Sequence, residues 1–255
     1  MKIASWNVNS LNVRLPHLLE WLKIGNPDVL VLQETKLEDH KFPQAEIEAA
    51  GYRVAFDGQK TYNGVAILSR QDIADVQKGI PGFADEQKRA LAATVGGVRI
   101  IDLYVVNGQA VGSEKYDYKL RWLEAVTDWV RDELTRHPQL VVLGDFNIAP
   151  DERDVHDAAL WNDDSILTST AERAALKRLL ALGLHDSFRL HSDEAGHFSW
   201  WDYRMGGFRR NLGLRIDLVL VSEALKARTK ASGIEREPRT WERPSDHAPV
   251  WIEIE

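Results

Sequence analysis

Residues 140 to 147, Leu140-Val141-Val142-Leu143-Gly144-Asp145-Phe146-Asn147, carry the reading on which the fold turns. The apolar run is short enough for a buried strand, and it passes directly into a polar turn at Asn147. Upstream, Leu120, Leu123, Val126, Val130 and Leu134 recur at steps of three and four, which marks one face of an amphipathic helix. Downstream, Ala171 to Leu182 reads as another helix, with Gly183 placed to cap it. A buried strand set between two helices is a building block of α/β architecture.

The rest of the chain repeats the alternation. Ile3 to Val8 reads as a buried strand, Leu15 to Ile24 as a helix, and Asp28 to Gln33 as an apolar strand entered after Asn26-Pro27. Tyr52 to Phe56 and Gly64 to Ser69 follow as strands. Leu91 to Val95 and Val98 to Val106 flank Gly96-Gly97, and paired glycines tolerate the positive φ angles of a tight hairpin turn. Ile216 to Val221 and Val250 to Ile254 close the set. Hairpin-paired strands interrupted by helices predict an α/β (α+β) fold with a mixed pair of sheets and helices outside. No repeat, low-complexity tract or composition break divides the chain, so residues 1–255 are expected to form one domain.

Composition narrows the function. At 255 residues, surface scaling predicts roughly 42,000 Å² exposed when unfolded and about 11,000 Å² when folded, enough burial for a self-sufficient core. The absence of cysteine excludes disulfides, thiolate zinc sites and a cysteine nucleophile, and suits a reducing cytoplasm. No apolar run reaches the roughly 18 residues of a membrane span, and the N-terminal residues read as a strand rather than a signal peptide. A cytoplasmic location is therefore expected, without a membrane partner. The formal charge of −7 argues against a protein that coats nucleic acid by bulk attraction, but not against a local basic groove.

The informative pattern is where the polar residues fall. Asn7 follows Trp6, Glu34 follows Val31-Leu32-Gln33, Asp145 and Asn147 follow the run at 140, and Asp217 sits inside Arg215-Ile216-Asp217-Leu218-Val219-Leu220. A charge among apolar neighbours is costly to bury unless paired or bound to metal. One such residue would mark only a turn or a strand-end cap. Four together converge on one rim if their strands lie side by side, a usual place for a ligand in α/β folds. Glu34, Asp145, Asp217 and Asp246, with few histidines near, form an oxygen-rich set that favours Mg²⁺, with Mn²⁺ as a substitute. His247 is singled out among the histidines because it directly follows Asp246 in Pro244-Ser245-Asp246-His247-Ala248-Pro249.

These residues make the sequence resemble the exonuclease III family of DNA-repair nucleases. The matching elements are Ser5-Trp6-Asn7-Val8-Asn9, Gln33-Glu34-Thr35-Lys36, Tyr62-Asn63-Gly64-Val65-Ala66-Ile67, Gly144-Asp145-Phe146-Asn147, Gly213-Leu214-Arg215-Ile216-Asp217 and Ser245-Asp246-His247-Ala248-Pro249. The resemblance implies a four-layer sandwich, two mixed sheets face to face with helices outside. It implies Mg²⁺-dependent hydrolysis of phosphodiesters in double-stranded DNA by a monomer: 3′→5′ exonuclease action, 3′-end processing at ends and nicks, and incision 5′ to abasic sites leaving a 3′-hydroxyl.

Carried over by residue, the resemblance makes Glu34 the principal metal ligand, with Asn7 and Asp246 contributing. Asp145 orients or deprotonates the attacking water, and Asn147 holds that water or the phosphate. His247 donates to a phosphate oxygen while Asp217 fixes its tautomer. Tyr104 is the active-site tyrosine and Asn107 a phosphate contact. Trp200, Leu214 and Ile216 wall the pocket for a flipped abasic sugar, and Arg204 takes a groove-inserting position. The stretch Ser199 to Arg215 carries Arg204, Arg209, Arg210 and Arg215 against Asp202, a local excess of 4 − 1 = +3 among aromatic residues, a combination DNA surfaces use. Two features depart from the family pattern: Val106 stands where proline is common before Asn107, and Leu167 lies near the pocket rim. A bulky Leu167 is expected to narrow the pocket and favour terminal digestion over internal incision.

A phosphatase of the same superfamily, acting on inositol phosphates or lipid headgroups, would share Glu34, Asp145, Asn147 and His247. The Gln33-Glu34-Thr35-Lys36 form and the basic aromatic stretch favour DNA. A secreted nuclease like deoxyribonuclease I is disfavoured by the missing cysteines and signal peptide. A catalytically dead binding module is disfavoured because every acidic position and His247 are kept.

Overall fold

The structure, a computed structural model, describes residues 1–255. Its strands are β1 (Lys2–Asn7), β2 (Val29–Gln33), β3 (Arg53–Asp57), β4 (Val65–Ser69), β5 (Ala74–Lys78), β6 (Ala90–Val95), β7 (Val98–Tyr104), β8 (Leu140–Asp145), β9 (Leu184–Asp186), β10 (Trp200–Trp201), β11 (Gly213–Leu214), β12 (Asp217–Ser222), β13 (Thr229–Ile234) and β14 (Val250–Ile254). The helices are α1 (Leu11–Gly25), α2 (Gln44–Ala49), α3 (Glu114–Arg136), α4 (Thr170–Leu180) and α5 (Glu223–Lys226).

Two six-stranded sheets result, ordered β13-β14-β1-β2-β4-β3 and β5-β6-β7-β8-β12-β9, with β10-β11 as a separate ribbon. Each sheet has one parallel pair near its centre, β1 with β2 and β7 with β8. A parallel pair needs a crossover, and α1 and α3 supply the two. Gly96 and Gly97 turn β6 into β7 at φ of 56° and 81°, the expected hairpin.

Three apolar layers hold the sandwich. Ile3, Val29, Val31, Ile100, Val141, Leu143, Val219 and Ile252 fill the space between the sheets. Leu18, Trp21 and Leu22 of α1 cover the outer side of the first sheet against Ala4, Leu30 and Leu32. Trp122, Val126 and Val130 of α3, with Leu176 and Leu179 of α4, cover the second. The order helix, sheet, sheet, helix is the expected four-layer arrangement, and the folded surface of 11059 Å² agrees with the scaling expectation.

Three local expectations need correction. α1 begins at Leu11, four residues early, because Asn9 and Ser10 at positive φ turn the chain straight into the helix; Pro16 is carried inside it. Gly183, at φ 96°, lies beyond the C-cap residue Ala181. β5, β9, β13 and the two-residue β10 and β11 were not expected from the sequence. β5, β9 and β13 lie at sheet edges with few fully buried side chains, so they show no apolar period. No helix is long and apolar enough to cross a membrane.

Candidate active site

Side chains alternate along a strand, so one face of each strand looks into the space between the sheets. On that face β1 presents Ile3, Ser5 and Asn7, and β2 presents Val29, Val31 and Gln33. Across the gap, β7 presents Val98, Ile100, Asp102 and Tyr104, and β8 presents Val141, Leu143 and Asp145. β12 runs antiparallel to β8, so its first residue, Asp217, pairs with Asp145, while Tyr104 pairs with Asp145 from the other side. Every strand therefore turns from apolar to polar at the same rim. β8 approaches β7 closely there, and Gly144 is required: at φ 143° an added Cβ would stand 1.9 Å from the Leu103 carbonyl oxygen.

Asp145 is the centre of the rim. Its Oδ2 accepts from Asn7 Nδ2 at 3.0 Å and Asn147 Nδ2 at 3.3 Å, and its Oδ1 accepts from the Asn147 backbone N–H at 2.9 Å. Asn7 Nδ2 also donates to Glu34 Oε1 at 2.9 Å, so one amide of the first sheet joins Glu34 to Asp145 of the second. Asn147 takes φ 48°, which turns its amide back over Asp145; Asn107 Nδ2 donates to its Oδ1 at 3.2 Å. Glu34 and Lys36 are likewise at positive φ, 53° and 55°, and backbone held this way clusters at functional sites. Burial, with Asp217 and Glu34 near, outweighs His247 and raises the Asp145 carboxyl to about 7. Tyr104, stacked under Arg89 at 4.5 Å, is pushed well above the usual phenol range by burial and by Glu34.

His247 faces Asp145 from the first sheet, its Nε2 3.7 Å from Asp145 Oδ2. Its Nδ1 meets Asp217 Oδ2 at 2.8 Å, and Ser199 Oγ donates to the same oxygen at 2.7 Å. The loop is pinned by Ser245 Oγ donating to the Asn7 carbonyl at 2.6 Å and Trp6 Nε1 to the His247 carbonyl at 3.1 Å. Burial alone would lower the imidazole pKa, but Asp217 and Asp145 outweigh it and hold it up at about 10. The ring is thus a cation at neutral pH, with Nε2–H aimed at the rim.

Ligand atoms of Glu34, Asp145 and His247 lie within 4.8 Å of one another. A protonated His247 offers N–H rather than a lone pair, which leaves carboxylate oxygens as the donors for a cation. The Lys36 ammonium sits 2.9 Å from Glu34 Oε2, so positive charge is already accommodated there. An all-oxygen set fits a hard divalent ion and not zinc.

The remaining expected residues divide. Asp246 is not among that set: its oxygens accept from Asn9 Nδ2 at 2.9 Å and Trp200 Nε1 at 3.0 Å, because its carboxylate is turned toward the Trp200 ribbon. Asn7 presents its amide N–H, not its oxygen, to the two carboxylates; its Oδ1 accepts from the Asn9 backbone at 3.0 Å. Leu214 and Ile216 are buried with Leu167, Val155 and Ala149, and Trp200 packs against this cluster. Arg204 is exposed but forked onto its own neighbour Asp202, at 2.6 Å for the closest contact, with Met205 beside it also exposed. Arg215 is buried between Asp154 at 2.6 Å and Asp186 at 2.7 Å. The +3 excess read from the sequence therefore reduces to Arg209 and Arg210, both exposed and without an ion pair. Asn9, Lys36, Ser199 and Ser245 were missed as site residues, although Asn9, Lys36 and Ser245 stand inside the family motifs and Ser199 opens the basic aromatic stretch. Polar residues in the loops at strand ends carry no periodic signal of their own.

Comparison with known proteins agrees with this geometry. Residues 4–247 match the Endonuclease/Exonuclease/phosphatase family. Exodeoxyribonuclease III of Haemophilus influenzae is 37% identical over 267 residues, with all of both chains covered. A 3′ phosphatase from Neisseria, solved with a product DNA hairpin, is 51% identical with a TM-score of 0.98, covering 100% of this chain and 99% of that one. An AP endonuclease from Archaeoglobus fulgidus is 37% identical with a TM-score of 0.96, covering 100% and 99%. With its motifs in order and its rim assembled from both sheets, the chain belongs to the endonuclease/exonuclease/phosphatase family.

Proposed function

We propose that the protein is a DNA-repair nuclease of the exodeoxyribonuclease III type, Mg²⁺-dependent, acting as a monomer on 3′ ends, nicks and abasic sites of double-stranded DNA. The observation that carries this reading is the meeting of Asp145 with the His247–Asp217 pair at one rim, in a chain matched end to end by a DNA-bound 3′ phosphatase.

Glu34 and Asp145 would hold the ion, which when bound supplies charge to polarise the phosphoryl group and stabilise the leaving oxygen. The chain's own groups do the rest. Asp145, fixed by Asn7 and Asn147, orients the attacking water and takes up its proton. His247 Nε2–H donates to a non-bridging phosphate oxygen, with Asp217 and Ser199 fixing the ring. The Asn147 amide, braced by Asn107, holds the phosphate, and the Tyr104 phenol stays neutral as a donor beside Glu34. Each such effect contributes only part of the rate, the general base on the order of 10²–10⁴-fold, so alignment across the sheets is essential.

Leu167 packs on Leu214 and Ile216 at only 5% exposure, with Trp161 and Ile166 beside it. This supports a preference for 3′ ends over internal abasic sites. One gel assay tests both statements: recessed, nicked and abasic duplexes with Mg²⁺ and with chelator, beside an inositol phosphate. Mg²⁺-dependent digestion from the recessed end is expected. No DNA cleavage, or phosphate release from inositol phosphate alone, overturns the nuclease reading; abasic incision equal to end digestion overturns the preference.

A further inference from the structure

Lys119, on α3, is a fully buried cation outside the rim. Its ammonium donates to the Asn147 carbonyl at 2.7 Å, to the Asn107 carbonyl at 3.1 Å and to Glu172 Oε1 on α4. A lysine ammonium has three donors, and all three are used. Two of the acceptors are the backbone of the residues whose side chains meet over Asp145.

Glu172 extends the connection. Its Oε1 also accepts from the Leu167 N–H at 3.1 Å, and its Oε2 accepts from Ser169 N at 3.1 Å and Ser169 Oγ at 2.6 Å. Tyr116 OH bonds Ser169 Oγ at 2.7 Å, and the Leu167 carbonyl accepts from Ala149 N at 2.8 Å. One ion pair thus touches three loops: the one after β7, the one after β8, and the one leading into α4. Gly108 makes room for it, since at φ 91° an added Cβ would stand 3.1 Å from Lys119 Cδ.

The placement has a physical purpose at Asn147. Asparagine tolerates the left-handed region at modest cost, so the orientation of this turn is set by what its surroundings hold in place. Pulling the Asn147 carbonyl toward α3 fixes the peptide whose orientation aims the Asn147 amide at Asp145. Pulling the Asn107 carbonyl to the same point sets the spacing of the two side chains. We propose that Lys119 and Glu172 are positioning residues: a buried strut that sets the two asparagines for reaction and ties their loops to the one carrying Leu167. The proposal rests on the nuclease reading above.

Two variants test it on a recessed duplex with Mg²⁺. Lys119→Met with Glu172→Gln removes both charges and both carbonyl contacts. Glu172→Gln alone leaves the ammonium without its counter-charge, which is the more destabilising change, since a single buried charge without a partner costs more than removing a pair. Yet it keeps the two carbonyl contacts, because even a neutral amine has N–H donors for both. A merely structural role leaves kcat per folded molecule near the original in both variants, whatever their stability; the strut lowers it in the double variant and less in Glu172→Gln. Expected is a 10–100-fold lower kcat for the double variant, with KM within about threefold, and a smaller kcat loss for Glu172→Gln despite its lower Tm, since misplacement of about 1 Å can cost 10²-fold. Activities are taken per folded molecule by circular dichroism. If the double variant does not fold, Glu172→Gln decides alone: a kcat lowered more than tenfold at a temperature where it is folded overturns the proposal. A double-variant kcat within threefold of the original, or at or above that of Glu172→Gln, overturns it too. If the unaltered protein does not cleave DNA, the nuclease reading fails instead.

Discussion

Asp217→Asn is the sharpest probe of the charge arrangement at the rim. Asp217 lies 2.8 Å from His247 Nδ1 and Asp145 lies 3.7 Å from Nε2, and together they hold the imidazole at about 10 against an ordinary 6.5. A rise of that size is about 5 kcal/mol of preference for the cation. At an effective dielectric of about 20, a unit charge near this distance is worth about 4 kcal/mol or somewhat more, so Asp217 supplies at least half the pull. Its replacement by a neutral amide of the same shape should drop the imidazole by roughly three units, to about 7. If imidazolium is the form that donates to phosphate, kcat of the original enzyme, having risen as Asp145 ionises near pH 7, then holds to pH 9. That of Asp217→Asn should fall about tenfold per pH unit above about pH 7. The assay is single-turnover digestion of a 3′-labelled recessed duplex from pH 6 to 9 at constant Mg²⁺. Parallel profiles for the two proteins would refute the reasoning. Linkage gives an independent check. Because the folded value is raised, the stability His247 contributes is complete below pH 6.5 and is lost as pH rises through about 10. Asp217→Asn should erase that alkaline decline in urea unfolding.

Other outcomes follow from the same geometry. Asp145→Asn and His247→Ala should each lower kcat by about 10³-fold or more while duplex affinity, read by anisotropy, changes only severalfold; near-normal turnover by either removes it from the chemistry. Arg209→Ala with Arg210→Ala should weaken duplex binding and lower the salt slope by about one for each phosphate that is no longer neutralised, whereas Arg204→Ala, whose charge is already matched by Asp202, should change the slope less. Asp102 is fully buried between the sheets, with Oδ1 accepting from Gln33 at 2.7 Å and Oδ2 unpartnered, and burial raises its carboxyl well above the ordinary range. The folded state therefore keeps a proton that the unfolded chain gives up. Stability should decline with rising pH from about 4 by up to about 1.4 kcal/mol per unit until the folded value is passed. Asp102→Asn removes that decline, so its advantage in urea unfolding should grow between pH 4.5 and 7.5; a constant difference would show Asp102 ionised when folded.

The central strands were legible because buried parallel pairs read as unbroken apolar runs, and the same runs made Asn7, Glu34, Asp145 and Asp217 visible as interruptions. Which alternate residues faced inward was not legible, since an apolar run has no period. The Asp102–Gln33 contact and the placement of Tyr104 needed the structure. Edge strands β5 and β13 escaped because they are held by backbone bonds rather than by covered side chains. Charge counting misled at Arg204 and Arg215: partners such as Asp154 and Asp186 lie 61 and 29 residues away and are joined to Arg215 only by the fold. Asp246 joined the metal group through the oxygen-rich set and the family resemblance; that its carboxylate meets Asn9 and Trp200 is a matter of loop conformation that no sequence pattern carries. Lys119 and Glu172 lie on two amphipathic helices, where a charged residue ordinarily means a solvent face, so nothing in the sequence marks them as buried.

Asn7, Glu34 and His247 come from the first sheet, and Tyr104, Asp145 and Asp217 from the second, so no single sheet owns the chemistry. The distance between the two halves is set by the thickness of what lies beneath them: Ile3, Val31, Val141, Leu143 and Val219 act as a spacer gauge under the rim. Packed interiors transmit changes of even one methylene. Reaction geometry can then be tuned from the dry interior without altering any residue that meets DNA. Interior substitutions that leave the protein folded would register first as a change in rate, and sequence drift between relatives in these valines and isoleucines would be a means of adjusting the enzyme rather than noise in its core.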